Sequence, residues 1–141
     1  MVARIVIDTN VLVSALRSRR GAAFRLISMV GSGLFEHCIS VGLLFEYEAA
    51  VKRPSVGIRL SRKRLDDILD YVAASGRRQA IHYLWRPTLS DPGDDLVLEV
   101  AVAGECRIIV TYNVRDFAGS ERFGIRVMIP AEFLAQVEGK Q

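Results

Sequence analysis

An α/β domain with a mainly parallel central sheet flanked by helices is the fold this sequence predicts, on three observations. Short β-branched apolar runs stop abruptly at polar residues, as in Arg4-Ile5-Val6-Ile7 before Asp8-Thr9-Asn10 and Arg107-Ile108-Ile109-Val110 before Thr111-Tyr112-Asn113. Runs with no polar alternation belong to strands buried on both faces, the condition of a parallel sheet covered by helices. Stretches with helical spacing of apolar residues lie between them, and strand–helix alternation brings successive strands parallel. The 141 residues, half of them hydrophobic, suffice for one core and one domain spanning residues 1–141.

Taken in order, the first strand is Arg4 to Ile7, and a short helix follows over Val11 to Leu16. Arg17-Ser18-Arg19-Arg20-Gly21 is a basic loop. Ala22 to Val30 carries Phe24, Leu26, Ile27 and Val30 at helical spacing, and Gly31-Ser32-Gly33 stops it. Phe35 to Ile39 is a second strand. Ser40 offers an N-cap oxygen to a helix over Val41 to Lys52, which Pro54 limits, since a residue before proline is driven out of the α region. A basic connection through Arg53, Arg62 and Arg64 follows. Within it Ser61 caps a helix reaching Ser75, with Leu65, Ile68, Leu69 and Val72 as its apolar stripe. Ile81 to Trp85 is expected as a short edge strand. Ser90-Asp91-Pro92-Gly93-Asp94-Asp95 opens a helix over Leu96 to Ala103, closed by Gly104. Strands over Arg107 to Val110 and Gly124 to Ile129 complete the sheet, and Pro130 starts a last helix at a position proline favours.

No apolar run approaches the roughly 20 residues of a membrane span. The chain enters its first strand almost at once, which leaves no room for a leader, so a cytoplasmic location is expected. Cys38 and Cys106 lie in apolar stretches without CxxC spacing or a histidine pair, and are expected as buried thiols rather than a disulfide or zinc site. His37 and His82 have no partner pattern and are expected to be structural. The net charge of +3 is unevenly spread: residues 1–64 hold 11 basic and 4 acidic side chains, residues 65–141 hold 8 and 12. Sixteen of the 19 basic residues are arginine, whose planar fork suits phosphate. Arg17, Arg19, Arg20, Arg53, Arg62 and Arg64 are therefore candidate contacts to a nucleic-acid backbone.

The acidic residues carry the chemistry. Asp8 stands at the carboxyl end of a buried strand, where open α/β sheets bind ligands. It is equally a residue type that starts turns and caps helices. Glu46 lies on a helix face lined by Gly42, Ala49 and Ala50, and small neighbours let a carboxylate look into a cleft. Glu48, about 200° further round, is expected in solvent. Asp91, Asp94 and Asp95 open one helix, although one N-cap needs only one carboxylate, and three repel unless a cation intervenes. Thr111 to Asp116 follow another strand end. Hard divalent cations such as Mg²⁺ or Mn²⁺ require such oxygen donors.

The ordered set IVIDTNVLVSAL, SVGLLFEYEAAVKRP, DPGDDLVLEVAVAGECRIIVTYNVRDF and IRVMIPAEFL resembles the PIN-domain family, and within it the VapC-like toxin ribonucleases of prokaryotic toxin–antitoxin pairs. The resemblance covers nearly the whole chain. It implies a Mg²⁺- or Mn²⁺-dependent endoribonuclease in which Asp8, Glu46 and Asp94 are metal ligands and catalytic residues. Asp116, assisted by Asn113, would supply a fourth corner. Thr9, Asn10 and Thr111 would orient these groups, and Asp95 competes with Asp94 for the third position. RNA as substrate, a small antitoxin protein and a homodimer are the implied partners. A PIN fold that only binds RNA or protein is the alternative. A haloacid-dehalogenase-type phosphatase fits less well, because Asn10 stands where that motif needs a second aspartate.

Overall fold

Alternation along the first strand sets the two faces of the molecule. In β1 (Ala3–Ile7), Ile5 and Ile7 pack into one helical layer and Val6 into the opposite one, and all three are buried. The computed structural model describes residues 2–81 and 92–139. The sheet runs β3 (Arg77–Arg78), β2 (Phe35–Ile39), β1, β4 (Ile108–Val110), β5 (Arg126–Met128), with every pairing parallel.

One layer holds α1 (Thr9–Arg17), α2 (Ala22–Ser28) and α6 (Pro130–Glu138), packed through Val11, Leu26 and Phe133. Phe35 meets Phe133 edge to face at 5.4 Å. The other layer holds α3 (Val41–Val51), α4 (Arg62–Ser75) and α5 (Pro92–Ala103), packed through Leu43, Tyr47, Leu69 and Leu98. Each such aliphatic side chain contributes about 1.5–3 kcal/mol by leaving water, so the two layers fix the helices onto the sheet. Among the described residues no helix is long and apolar enough to cross a membrane.

Connectivity places the crevice. The chain steps outward from β1 to β2 and β3, then returns to the other side of β1 for β4 and β5. Strand order therefore reverses between β1 and β4, and their carboxyl ends splay their connections in opposite directions.

The serine caps are as the sequence predicts: Leu43 N–H donates to Ser40 Oγ at 3.1 Å and Arg64 N–H to Ser61 Oγ at 3.2 Å. Several boundaries differ. Helix α1 starts at Thr9, not Val11, because Asp8 caps it. Helix α2 ends at Ser28 rather than Val30, and α5 begins at Pro92 rather than Leu96. The strands expected from Arg107 and over Gly124 to Ile129 are trimmed to β4 and β5. The edge strand beside β2 is Arg77–Arg78, which carries no apolar pattern; the expected strand at Ile81 to Trp85, together with His82, Ser90 and Asp91, falls on residues outside those described, apart from an irregular Ile81. Backbone pairing makes that edge: Gln79 N–H continues it to Ile39 O at 2.7 Å. Gly76 lets it approach, since a Cβ there would sit 2.8 Å from Ile39 Cδ1. Cys38 and Cys106 are free and buried, as expected.

Candidate active site

The end of β1 is tied to the end of β4 by hydrogen bonds that run through side chains. Asp8 N–H extends the ladder to Val110 O at 2.9 Å, and Thr111 N–H does the same to Met128 O at 2.9 Å. With both backbones held, the side chains of Asp8 and Thr111 meet at the point where strand order reverses. Thr111 Oγ1 donates to Asp8 Oδ2 at 2.7 Å, and Thr9 N–H donates to Asp8 Oδ1 at 2.7 Å. Thr111 Oγ1 in turn accepts from Asn10 Nδ2 at 3.3 Å and Asn113 N–H at 3.0 Å. Asn10 Oδ1 accepts from Tyr112 N–H at 3.3 Å, so its amide bridges two points of the β4 loop. Thr9, Asn10, Thr111 and Asn113 thus form one network around Asp8, which is 6% exposed. A carboxylate this buried has its orientation set by donors rather than by water.

Tyr47 holds the adjacent backbone. Its hydroxyl donates to Ile7 O at 2.5 Å from within α3. Burial, and then the negative charge of Asp8, push the phenol far above its ordinary value, so it stays a neutral donor. Sequence reasoning passes over Tyr47; the one available signal is its place beside Glu46 in a helix whose next residue, Glu48, faces out.

Two further elements bring acids to the same edge. Helix α3 starts just past β2, and a Cβ on its Gly42 would lie 3.1 Å from Leu96 Cδ1 of α5. The start of α3 therefore meets α5 at Leu96, one residue past the first turn that holds Asp94 and Asp95, so that turn lies toward the carboxyl edge. Glu46 is one turn on from Gly42 along α3, and is exposed. Glu48 is ion-paired with Lys52 at 3.0 Å and half in solvent. Asp116 is exposed on the turn Val114–Phe117, whose Phe117 is anchored in the core. Glu99 is a buried carboxylate in mid-α5 that the sequence reading does not single out. Its signal is an acid inside the apolar run Leu98-Glu99-Val100.

Among the described residues, no three His, Cys, Asp or Glu side chains close around one point as a cage would. The donor set still fits a hard cation, because Mg²⁺ keeps several waters and takes only one or two protein carboxylates. Asp8 is fixed, and Asp94 and Asp95 open the helix whose start lies toward the same carboxyl edge.

A parallel α/β fold with an acidic edge at its switch point is the class these features define. The family model for the PIN domain matches residues 4–115, and the chain belongs to the PIN-domain family. Among solved structures it is similar to a chain of VapBC2 from Rickettsia felis, determined bound to a DNA fragment from their promoter. Identity is 14%, the TM-score 0.57, and the match covers 88% of this chain and 96% of that one, so the likeness is one of fold. Among curated proteins none matches.

Proposed function

We propose that this chain, as one PIN domain over residues 1–141, is a Mg²⁺- or Mn²⁺-dependent endoribonuclease and the toxin of a type II toxin–antitoxin pair. The observation that carries the reading is the buried Asp8 carboxylate held by Thr111 across the β1/β4 switch point, with further acids brought to that rim. Asp8, Glu46, Asp94 and Asp116 would hold the cation, Glu46 and Asp116 from exposed positions. Thr9, Asn10, Thr111 and Asn113 keep Asp8 oriented; Asp95 supports Asp94. When bound, the ion supplies a water of lowered pKa and offsets phosphate charge. Water adds to phosphorus and the P–O3′ bond breaks, which leaves 5′-phosphate and 3′-hydroxyl ends.

The likeness in fold to VapBC2 supports a small antitoxin partner. Val41 and Phe45, one turn apart on α3 and both exposed, offer an apolar strip suited to protein contact, whether antitoxin or second protomer of a homodimer. The reading places the protein in the cytoplasm.

Cleavage of 5′-labelled single-stranded RNA tests it. Cutting with Mg²⁺ or Mn²⁺ and none in EDTA is the expected result, and full activity in EDTA contradicts it. The alternative reading is a PIN fold that only binds RNA or protein. RNA retained but uncut in Mn²⁺ would establish that reading instead.

A further inference from the structure

Two basic segments far apart in sequence become one surface. A Cβ built on Gly57, in the connection between α3 and α4, would lie 3.9 Å from Nε of Arg17 at the end of α1. Leu16 from one segment and Ile58 and Leu60 from the other pack against the same core. Anchoring these apolar side chains turns their neighbours Arg17 and Arg59 outward, and both are exposed. Arg19, Arg20, Arg53, Arg62 and Arg64 are exposed beside them in the chain. Neither residues 9–35 nor residues 49–65 contain an acid.

Pairing separates these arginines from their basic neighbours. Lys52 is held by Glu48 at 3.0 Å and Asp66 at 2.5 Å, Lys63 by Asp67 at 3.5 Å, and Arg25 by Glu138. Among the described residues none of the seven arginines has a carboxylate partner. Arg62 and Arg64 also sit in the first turn of α4, where the helix dipole disfavours cations. Folding alone gives no reason to gather charge there; a polyanion does.

We infer that Arg17, Arg19, Arg20, Arg53, Arg59, Arg62 and Arg64 form one phosphate-tracking surface that holds single-stranded RNA at a distance from the acidic edge. The choice of RNA among polyanions rests on the nuclease reading above. Helix α1 begins beside Asp8 and ends at Arg17, so its nine residues separate the two regions by about 14 Å. That is about four nucleotides at the 3.4 Å rise of a stacked strand. An RNA must exceed that length to occupy both.

Fluorescence anisotropy in EDTA reads binding without cleavage, using a labelled RNA of about 12 nucleotides, three times that span. Replacing Arg17, Arg19 and Arg20 with Gln, or Arg53, Arg59, Arg62 and Arg64 with Gln, is expected to weaken binding in each case. Each should also flatten the plot of log K against log salt, by about 0.7 for every phosphate that is no longer neutralised. Arg122→Gln with Arg126→Gln is the control and is expected to change neither. Protection of Arg17 and Arg59 from phenylglyoxal by bound RNA gives the same answer without substitution. Equal weakening by the control, no effect from either set, or no protection overturns the inference. So does competition by polyglutamate as strong as by RNA at equal charge, which reassigns the surface to an acidic protein. Cleavage by wild type is followed in parallel with Mg²⁺. Cleavage without charge-dependent binding removes the surface and spares the nuclease; charge-dependent binding without cleavage does the reverse.

Discussion

Asp8 shows at the scale of one residue why a sequence alone sets two readings against each other. A carboxylate after a strand is either a helix cap or a ligand holder; here it caps α1 through Thr9 N–H and also accepts from Thr111. Asp8→Asn therefore removes more than a charge, because an amide has one acceptor oxygen where the carboxylate has two, so either Thr9 N–H or Thr111 Oγ1 loses its acceptor. We expect that variant to lose cleavage and, in EDTA, to lose about 1 kcal/mol in urea denaturation, the usual net worth of a hydrogen bond. Thr111→Val removes the hydroxyl that Asp8 Oδ2, Asn10 Nδ2 and Asn113 N–H share, and is expected to cost about 1–3 kcal/mol by the same measurement. Unchanged midpoints would show the network to be idle. His37 offers a pH readout remote from these groups. Burial holds its imidazole down at about 4 from an ordinary 6.5, against the raising effect of its hydrogen bond to the Val72 backbone. The unfolded chain takes up a proton that the folded chain refuses, so stability is full above 6.5 and falls as pH drops toward 4. By pH 4 the loss from this group is roughly 3 kcal/mol. Urea midpoints of wild type and His37→Gln between pH 7.5 and 4.5 check it; parallel curves contradict it.

Among the elements, those with a local cause were legible and those made by neighbours were not. The buried runs of β1 and β2 and the serine caps of α3 and α4 follow from side-chain type alone. Strand β3 does not: Arg77 and Arg78 are exposed, and only pairing with Cys38 and Ile39 makes them a strand. Its close approach depends on Gly76, where a Cβ would fall within 2.9 Å of both Ile39 and His37 side chains. Gly76→Ala is expected to cost about 1–3 kcal/mol through overpacking, read as a lowered melting temperature. The opposite sign is expected at the other end of α4. Arg62→Gln with Arg64→Gln removes cations from a helix N-terminus, a gain of about 0.3–1 kcal/mol each at low salt. A fall in melting temperature would mean that these arginines support the fold.

At the scale of the whole molecule, the candidate site exists only because strand order reverses between β1 and β4. The polar residues after each strand are visible in the sequence, and so is their oxygen chemistry. Their meeting is not, since Asp8 and Thr111 come together through parallel pairing of strands a hundred residues apart. Glu99 was hidden for a related reason: an acid within an apolar helical run gains its meaning from what packs over it. Under the proposed function Asp8 and Asp94, delivered by β1 and α5, would serve one cation. Calorimetric titration of Mn²⁺ into metal-stripped wild type, Asp8→Asn, Asp94→Asn and the double variant tests it most directly. Wild type is expected to bind, each single variant to lose that binding, and the double variant to lose nothing further, because coupled residues are not additive. Mn²⁺ binding to Asp8→Asn with wild-type affinity would contradict it.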